Sequence, residues 1–452
     1  MISKVYLVGA GPGNPGLITV KGLEILRQAE VVIYDYLVDK RILEYAKEGA
    51  ELISCDKLGK KVTKLMVKKA KEGKKVARLK NGDPSIFGRL SQELEMLVKN
   101  RIEFEVVPGV TAASAAASFS GIPLTDRRFS SSVVFVTGHE DINKKESNID
   151  WENIAHCGTI VLYMAVENIS QIAEALIAGG KSKDTPVMVV ANAGTINQKI
   201  LKARLKNIAI MLKKERIYPP AIFIIGQVVA LEKEFNWLKR NKRILFTGLS
   251  RERFFTKGTY FHLPLIKIEP MGDYREFDGY LKDITEFDWI VFTSRYGVEH
   301  FFKRLKDVGY DSRILSNIKI AVIGNSTRSR LEDFGILADL VSKKESSRGL
   351  LEEFKKINLK GKKMFLPRSD ISDKGIALGL KKLKARVISS FAYRNVKPGV
   401  LPDLDLNLFD EIMFTSPSGV RNFIKRYGHP PRKIKKSYLG EVARREAKRC
   451  HL

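Results

Sequence analysis

The stretch Val8-Gly-Ala-Gly-Pro-Gly-Asn-Pro-Gly16 directly follows the apolar run Val5–Val8 near the start of the chain. Its glycines permit a tight turn and a close approach of the backbone to a ligand, because glycine has no Cβ. Pro12 and Pro15 make the loop rigid and delay any helix until about Thr19. This excludes the dinucleotide-binding fingerprint, in which a third glycine opens a helix. Taken alone, the stretch predicts a strand followed by either a ligand-binding loop or a simple tight turn.

Two further apolar runs end in loops with a related composition. Val76–Leu79 leads into Asn81-Gly-Asp-Pro84, and Phe104–Val107 leads into a helix start rich in Ala and Ser at Thr111–Ser118. In open α/β sheets, ligands bind beyond the carboxyl ends of the strands. The amides and carboxylate of the first loop would suit a zwitterionic amino-acid group. The small residues of the second would let a flat ring lie against the backbone, although close helix packing is the interpretation that this stretch favours when taken by itself.

Short apolar runs alternate with amphipathic helical segments through residue 230. This pattern predicts mainly parallel sheets covered by helices on both faces. The predicted strands are Val5–Val8, Val31–Tyr34, Val76–Leu79, Phe104–Val107, Val133–Thr137, Ile160–Tyr163, Val187–Val190 and Ile222–Ile225. A basic run at 239–243 precedes a new strand at Ile244–Thr247. We therefore predict an α/β protein with one domain at 1–240 and a second at 241–452.

The second half contains an internal repeat. Residues 288–304 and 410–426 are identical at ten of seventeen positions. Each copy has the pattern of a strand, a Thr-Ser turn and a helix. The repeat predicts two similarly built α/β lobes.

The net charge of +28, from 79 Lys and Arg against 51 Asp and Glu, would attract polyanions. The polyanion could be nucleic acid or a small molecule with several carboxylates. Alternatively, the charge reflects a generally lysine-rich composition and no polyanionic partner. The basic residues are not interleaved with aromatic ones, as base stacking would require. Three separated cysteines and six scattered histidines match no metal-ligand spacing, so we expect no metal site. We find no signal segment or membrane-length apolar run, which predicts a cytoplasmic protein without a membrane partner.

Several motifs of the first half, taken in order over about residues 1–235, resemble the uroporphyrinogen-III C-methyltransferases. They are Val8-Gly-Ala-Gly-Pro-Gly13, Tyr34-Asp35, Asn81-Gly-Asp-Pro84 with Phe87-Gly-Arg89, Val107-Pro-Gly-Val-Thr111, Gly121-Ile-Pro-Leu-Thr125, Thr137-Gly-His-Glu140 and Leu162-Tyr-Met164. The resemblance implies the two-lobed tetrapyrrole-methylase fold, with S-adenosyl-L-methionine in the cleft between two α/β lobes. It also implies transfer of two methyl groups to uroporphyrinogen III, giving precorrin-2 on the sirohaem or cobalamin route. We further expect a homodimer formed through this domain.

The resemblance also assigns site residues by position. The cofactor-binding positions are Pro12, Asn81, Gly82, Asp83, Ile86, Thr111, Ala112, Met164 and Ala193. The proton-handling pair falls on Asp35 as base and Lys57 as acid, and Arg89 falls on a substrate-binding position. A strand-end cap is the simpler interpretation of Asp35, and a solvated lysine that of Lys57. The family usually has Gly where this chain has Asn81, and asparagine is the residue that tolerates positive φ best after glycine.

Residues 241–452 resemble uroporphyrinogen-III synthase. The motifs are the two Phe-Thr-Ser units, Ala321-Val-Ile-Gly-Asn-Ser-Thr327, Leu366-Pro-Arg-Ser-Asp370 and Ala392-Tyr-Arg394. The resemblance implies two lobes, at 241–273 plus 396–452 and at 274–395, joined by a two-stranded linker with crossings near 270–274 and 393–397. It also implies closure of hydroxymethylbilane to uroporphyrinogen III with inversion of the last ring. The family continues through a further strand and helix, so we expect a C-terminally shortened synthase domain here.

For this reaction the resemblance makes Tyr393 the residue that assists loss of hydroxide. Hydroxyl side chains near strand-to-helix turns would hold the substrate carboxylates, with ordinary helix capping as the alternative for each. These side chains are Thr293, Ser294, Thr327, Ser416 and Ser418.

The leading hypothesis is a bifunctional enzyme that acts as lyase and methyltransferase on small-molecule tetrapyrroles. The eight carboxylates of uroporphyrinogen III would account for the basic composition without a nucleic-acid partner. Two alternatives stay open. The second half could be an inactive tetrapyrrole-binding module beside an active methyltransferase. The chain could instead be an RNA methyltransferase of the same fold, which would need a continuous basic face and salt-sensitive RNA binding.

Overall fold

The structure is a computed structural model that describes residues 3–56, 58–59, 61–139, 148–249, 259–399 and 401–452. Two predicted positions, Lys57 and the Glu140 of the Thr-Gly-His-Glu motif, lie outside the described residues. The chain divides into two compact units, the first built on residues up to 244 and the second on most of the chain from 262 onward.

The first sheet is fully parallel, as the sequence predicts. Its strands are β1 (Val5–Gly9), β2 (Val31–Tyr34), β3 (Glu51–Ser54), β4 (Val76–Lys80) and β5 (Phe104–Val107), in the order β3-β2-β4-β1-β5. The helices are α1 (Val20–Gln28), α2 (Lys61–Lys71) and α3 (Leu90–Lys99). Val5 and Leu7 pack in one apolar cluster with residues of α2 and α3, whereas Val8 packs with residues of α1. The sheet is therefore covered on both faces, and all its strands end at one edge.

The second sheet is mainly antiparallel. After α4 (Ala112–Ser120) come β6 (Val133–Thr137), α5 (Trp151–Ala155), β7 (Thr159–Tyr163), α6 (Ile169–Ala178), β8 (Pro186–Ala191), β9 (Lys199–Arg204), α7 (Ile208–Lys214) and β10 (Ala221–Ile225). The order is β6-β7-β10-β8-β9; β6 and β7 are parallel, whereas β10 runs antiparallel to β7 and β8, and β8 to β9. The prediction of a mainly parallel sheet is wrong here. Every residue of β7 and β10 is buried, so their apolar runs do not reveal strand direction.

The second half contains two more sheets. Its strands are β11 (Arg243–Phe246), β12 (Thr259–His262), β13 (Lys267–Pro270), β14 (Trp289–Phe292), β15 (Lys319–Val322), β16 (Leu340–Val341), β17 (Lys363–Ser369), β18 (Arg386–Val396), β19 (Glu411–Phe414) and β20 (Lys435–Tyr438). A four-stranded sheet has the order β12-β11-β19-β20, and a six-stranded sheet has the order β13-β18-β17-β14-β15-β16. The core of the six-stranded sheet is rich in phenylalanine, with Phe277, Phe301 and Phe365 fully buried.

The remaining helices complete the secondary structure. They are α8 (Glu232–Phe235), α9 (Trp237–Arg240), α10 (Arg275–Lys282), α11 (Arg295–Asp307), α12 (Gly324–Glu332), α13 (Ser347–Phe354), α14 (Gly375–Lys382), α15 (Pro417–Tyr427) and α16 (Glu441–Arg449). Short 3₁₀ helices cover Pro15–Leu17, Lys40–Tyr45, Leu205–Asn207, Gln227–Leu231, Ile284–Glu286, Ser312–Leu315 and Leu406–Leu408.

The internal repeat is confirmed as a repeated strand-turn-helix unit, formed by β14 with α11 and by β19 with α15. Ser294 and Ser416 are the N-caps of the two helices, with φ and ψ of −155° and 154° in the first and −152° and 156° in the second. Each Oγ accepts a hydrogen bond from the amide three residues later, at 3.0 Å from Gly297 and 3.1 Å from Gly419. The shared sequence thus encodes a shared cap geometry.

A buried carboxylate holds the last helices of the first unit in place. Glu232, at the start of α8, accepts hydrogen bonds from Lys202 Nζ (2.9 Å), Lys239 Nζ (2.6 Å) and Asn236 Nδ2 (2.8 Å). Burial alone would raise the pKa of Glu232, but the hydrogen bonds from Lys239, Lys202 and Asn236 lower it to about 2. The residue therefore joins β9 and α9 as a fully charged group at neutral pH.

The pKa of Glu232 predicts a pH-dependent contribution to stability. Because its folded-state pKa lies below the ordinary value of 4.5, the contribution is complete above about pH 4.5 and is lost as the pH falls toward about 2. At neutral pH, E232Q should lower the free energy of unfolding by roughly 3 kcal/mol at most. Urea unfolding followed by tryptophan fluorescence should show that the difference in free energy of unfolding between the wild type and E232Q, the stability gap, becomes smaller in acid. The matched control is E234Q, an exposed carboxylate of the same helix. A gap that stays constant down to about pH 2 would contradict the assignment.

Candidate functional site

Three predicted loops meet at the carboxyl edge of the first sheet. β1 lies between β4 and β5, so the loops that follow these strands are neighbours. The amide of Gly11 donates to the carbonyl of Gly82 at 3.2 Å, and the amide of Gly82 donates to the carbonyl of Gly11 at 2.8 Å. The glycine-rich loop that opens the chain is therefore paired with the Asn-Gly-Asp-Pro loop, as a ligand-binding site at this edge requires.

The loops approach too closely for larger residues. A Cβ on Gly109 would lie 2.3 Å from the carbonyl oxygen of Gly82, and one on Gly9 would lie 2.6 Å from the backbone of Gly109. Gly82 has a φ of 68°, whereas Asn81 is not among the residues with positive φ. The replacement of the family's usual glycine by Asn81 therefore causes no backbone strain, because the left-handed conformation falls on the next residue.

Asp83 ties two of these loops together. Its carboxylate accepts hydrogen bonds from the amide of Gly109 (2.9 Å) and from the amide of Ser85 (2.8 Å), and it also contacts the Ser85 hydroxyl. Burial alone would raise the pKa of Asp83, but the hydrogen bonds from Ser85 and the Gly109 amide lower it. A fixed carboxylate at this position can pair with the ammonium group of an amino-acid ligand.

The second lobe supplies the opposite wall through Tyr163, at the end of β7. Its hydroxyl lies 2.6 Å from Thr111 Oγ1 and accepts a hydrogen bond from the Ala113 amide at 3.2 Å. The Thr111 side chain consequently makes no capping hydrogen bond to α4. The ring of Phe87 lies 5.0 Å from that of Tyr163 and joins the β4 loop to this wall. The N-terminus of α4 therefore faces the site with backbone donors rather than with a side-chain cap.

Four non-glycine residues in the loops of this site have a left-handed backbone conformation. Phe87, Arg89, Met164 and Asn192 all have positive φ, between 51° and 54°. Met164 is a large apolar residue that is 52% exposed, and Arg89 is also exposed. Such conformations are unfavourable for residues with a side chain and persist where the surrounding structure fixes them, often at binding sites.

The predicted cofactor positions fit an adenosyl amino acid. The loops carrying Pro12 and Asn81 to Asp83 lie together. Ile86 and Ala112 pack against the cluster that contains Ala193, and Thr111 is the N-cap of α4. Asn14 Nδ2 donates to the carbonyl of Gly194 at 3.0 Å, which brings the Ala193 loop to the first glycine loop. Close backbone, a fixed carboxylate and an exposed methionine together suit a ligand with a charged end and a flat apolar end.

Asp35 lies at the same edge of the first sheet, directly after β2. Its Oδ1 accepts a hydrogen bond from Arg78 Nη2 at 2.5 Å. Burial alone would lower the pKa of Arg78, but the carboxylates of Asp35 and Glu93 raise it. Cys55 lies nearby, and burial raises the pKa of its thiol to about 11, which leaves it neutral. The predicted base therefore faces a permanent cation, while its predicted partner, Lys57, lies outside the described residues.

In the second half, Tyr393 and Ser294 are brought together. The Tyr393 hydroxyl lies 2.8 Å from Ser294 Oγ, and the His300 ring stacks on the tyrosine at 5.4 Å between ring centroids. Burial raises the pKa of Tyr393 and lowers that of His300. Both groups are consequently neutral at physiological pH, and Tyr393 keeps a proton that it can donate.

The other predicted hydroxyl residues of this half occupy different environments. Thr293 lies directly before the Ser294 cap, and Ser418 Oγ lies 3.3 Å from Ser416 Oγ at the start of α15. Thr327 is the fourth residue of α12 and is buried, and the N-cap of that helix is Ile323. Ser294 and Ser416 therefore act as caps, whereas Thr327 belongs to the first turn of its helix.

Several residues of these sites have no role in the sequence-based prediction, although Tyr163 and Arg368 lie inside two of its motifs. They are Arg78, Lys80 and Glu93 beside Asp35, Tyr163 opposite Phe87, and His300 and Arg368 near Tyr393. The sequence does hold a sign of the Arg78, Lys80 and Glu93 group, because the apolar strand Val76–Lys80 contains two basic residues. A charged residue in a buried strand requires a partner, and the sequence does not say which.

Two further properties concern the described part of the chain. Its helices include none with the length and hydropathy that a membrane crossing requires. Its His, Cys, Asp and Glu side chains form no group of three or more suited to a metal ion.

Comparison with known proteins gives two family matches. The family of Tetrapyrrole (Corrin/Porphyrin) Methylases matches residues 4–209, and the family Uroporphyrinogen-III synthase HemD matches residues 256–452. The chain is 37% identical over 353 residues to the Porphyrin biosynthesis protein HemD of Ruminiclostridium josui, covering 74% of this chain and 70% of that protein. It is 35% identical over 356 residues to the Uroporphyrinogen-III C-methyltransferase of Bacillus subtilis, covering 75% of this chain and 73% of that protein.

Other relatives match the first half. An S-adenosyl-L-methionine-dependent uroporphyrinogen III methyltransferase of Methanosarcina barkeri is 45% identical over 236 residues, covering 50% of this chain and 92% of that protein. The crystal structure of the native Uroporphyrin III C-methyl transferase of Thermus thermophilus is 36% identical, with a TM-score of 0.45 and coverage of 51% of this chain and 94% of that chain.

The close contact of Gly109 with Gly82 predicts a specific effect on S-adenosyl-L-methionine binding. In G109A, the new Cβ would separate the β4 and β5 loops, because it would lie 2.3 Å from a carbonyl oxygen. We expect the Kd measured by calorimetry to rise at least about 10-fold, the size of a modest overpacking penalty. The control is G279A, where a Cβ meets nothing within 4 Å. Equal affinity in G109A and the wild type would show that the loops do not form the donor site.

Proposed function

Because the chain belongs to the uroporphyrinogen-III C-methyltransferase family and carries a uroporphyrinogen-III synthase domain, we propose that both reactions take place on it. The second half closes hydroxymethylbilane to uroporphyrinogen III with inversion of the last ring. The first half then transfers two methyl groups from S-adenosyl-L-methionine, giving precorrin-2 for sirohaem or cobalamin synthesis. The observation that carries this proposal is the meeting of the three ligand-binding loops and Asp35 at one edge of the first sheet.

In the first half, S-adenosyl-L-methionine supplies an electrophilic methyl group when it is bound. The loops at Gly11, Gly82 and Gly109 and the Asp83 carboxylate bind and orient it. Asp35 accepts the proton that the macrocycle loses, and the hydrogen bond from Arg78 holds this carboxylate in place for that transfer. Arg89, exposed at the N-cap of α3, contributes a cation toward the substrate carboxylates.

In the second half, the protein holds the linear tetrapyrrole and assists departure of hydroxide from it. Tyr393 donates a proton to the leaving oxygen, which its neutral, buried state permits. Ser294 holds the Tyr393 hydroxyl at 2.8 Å, and the amides of the first turn of α11 offer donors to a substrate carboxylate. The same role falls to Ser416 and Ser418 in the second copy of the repeat.

The same proposal includes the domain arrangement. We place the boundary of the methyltransferase domain near residue 240, because α9 packs back on α4. Trp237 Nε1 donates to the Ser118 carbonyl at 2.8 Å, and its ring lies 5.7 Å from that of Phe119. We place the synthase lobes at 241–273 plus 396–452 and at 274–395, and we propose homodimer formation through the first domain.

An assay of the full chain tests the bifunctional proposal. With hydroxymethylbilane and S-adenosyl-L-methionine as the only substrates, we expect the dimethylated product. Y393F should slow formation of uroporphyrinogen III at least about 10-fold, the lower range of a lost proton donor, and leave methylation of supplied uroporphyrinogen III unchanged. Product isomers and methylation state are measured by chromatography and mass spectrometry.

The outcomes separate the alternatives. Methylation of supplied uroporphyrinogen III without conversion of hydroxymethylbilane would overturn the bifunctional proposal and favour a tetrapyrrole-binding second half. Methylation of RNA but of neither tetrapyrrole would overturn the assignment of substrate to both halves.

D35N tests the proposed base. The substitution keeps the shape and one hydrogen-bond acceptor of Asp35 but removes its capacity to take a proton. We expect methyl transfer to fall about 100-fold or more, with unchanged affinity for S-adenosyl-L-methionine, because the donor loops do not contact this side chain. Closure of hydroxymethylbilane by the same variant is the internal control and should keep its wild-type rate. Wild-type methylation by D35N would remove Asp35 from the mechanism.

A further inference from the structure

A set of buried charges continues from Asp35 into the first lobe. Arg78 and Lys80 are two residues apart on β4, so both side chains project from the same face of the strand. Glu93, in the first turn of α3, lies opposite them. The side chains of Arg78, Lys80 and Glu93 are 5%, 4% and 8% exposed, whereas that of Asp35 is 30% exposed and reaches the surface of the site.

The contacts form one connected network. Glu93 Oε1 accepts a hydrogen bond from Arg78 Nε at 2.9 Å, and Oε2 accepts one from Lys80 Nζ at 2.7 Å. The remaining guanidinium nitrogens are directed elsewhere: Nη1 donates to the Leu79 carbonyl at 3.0 Å, and Nη2 donates to Asp35 Oδ1. Among the residues that the structure describes, no donor contacts Asp35 Oδ2. This second oxygen is therefore open to a ligand.

Burying two ion pairs is an inefficient way to stabilise a lobe. Each buried charge loses several kcal/mol of hydration, and well-packed apolar side chains of similar size often stabilise a protein equally well. The network instead determines the direction in which the Arg78 guanidinium points. A guanidinium is planar, so fixing Nε on Glu93 and Nη1 on Leu79 determines where Nη2 points.

We propose that Glu93 is a positioning residue for methyl transfer, which orients Arg78 so that Asp35 presents its free oxygen to the macrocycle. This inference rests on the proposed role of Asp35 as the base. Lys80 donates to Glu93 Oε2, so Glu93 Oε1 is left to accept the hydrogen bond from Arg78. Arg78, Lys80 and Glu93 together carry one net positive charge, which balances the negative charge of Asp35.

E93Q tests the orientation of Arg78. Glutamine has one acceptor oxygen and one NH₂ donor, so Arg78 and Lys80 compete for one oxygen and one of them faces a donor. We expect kcat for methylation of uroporphyrinogen III to fall about 10- to 100-fold, as for a misplaced reacting group. KM and the Kd for S-adenosyl-L-methionine should stay within about 2-fold, because the hydrogen bonds that the structure describes for Glu93 go to the side chains of Arg78 and Lys80 and not to the donor loops. The matched control is E95Q, an exposed glutamate of the same helix.

The double variant K80M/E93Q separates positioning from simple structural support. Without Lys80, the amide oxygen of the introduced glutamine is free to accept from Arg78 Nε alone, and we expect kcat to recover to within about 3-fold of wild type. If Glu93 only supports the structure, we expect the opposite result. Removing both buried charges would then destabilise the lobe further, and kcat of the double variant would be lower than that of E93Q. Thermal unfolding of each variant shows how much of any loss comes from stability, and the double variant carries the test if E93Q does not fold.

The outcomes distinguish the positioning role of Glu93 from the proposed role of Asp35 as the base. Wild-type kcat in folded E93Q, with D35N strongly impaired, would overturn the positioning role and leave Asp35 as the base. A double variant that is slower than E93Q would also overturn it. Wild-type turnover in D35N would instead remove the base itself.

Discussion

The contact between the Gly109 backbone and the Gly82 carbonyl is the constraint on which the first half depends. It draws the β4 and β5 loops together, and the Gly109 amide then reaches the Asp83 carboxylate at 2.9 Å. The chain leaves this contact directly into Thr111 and α4, which carries it to the second sheet. The direction of α4 is fixed again by the Tyr163 hydroxyl, which meets both Thr111 and the Ala113 amide. The meeting of the β4 and β5 loops thus depends on the absence of a Cβ at Gly109, because a larger residue there would push the two loops apart.

The charged groups of the first half illustrate two uses of burial. Glu232 accepts three donors and joins α8, α9 and β9, where the carboxylate serves only to hold segments together. Asp35 accepts from Arg78 through one oxygen, remains 30% exposed and lies at the edge where the ligand loops meet. The difference lies in the number of donors, since the Glu232 carboxylate accepts three hydrogen bonds whereas the Asp35 carboxylate accepts one from Arg78. The number of hydrogen bonds, together with burial, therefore separates a carboxylate that joins segments from the carboxylate that we propose as the base.

The sequence predicts the buried strands well because their side chains are apolar on both faces. β2, β5 and β6 have the predicted bounds, whereas β3 and β9 were not predicted because edge strands such as Lys199–Arg204 carry polar residues. Strand direction in the second sheet also escapes prediction, since it is determined by pairing between distant segments. The donor loops are local motifs and could be predicted from short stretches. The Arg78–Glu93 pair could not, because it joins β4 to α3 across 15 residues of chain and no local motif says which carboxylate the buried arginine meets.

The repeat in the second half shows how one scaffold can carry two different environments. Ser294 and Ser416 cap their helices with nearly the same geometry, yet the first hydroxyl also meets Tyr393 and the second meets Ser418. Tyr393 pairs with Ser369, the last residue of β17, directly after the register of β17 and β18 shifts at Arg368. On its other side, Tyr393 pairs antiparallel with Pro270 of β13. The Thr-Ser unit therefore supplies a cap and helix amides in both copies. The long strand β18 supplies the Tyr393 hydroxyl beside one copy, so a chemical difference between the copies arises from topology rather than from the repeated sequence itself.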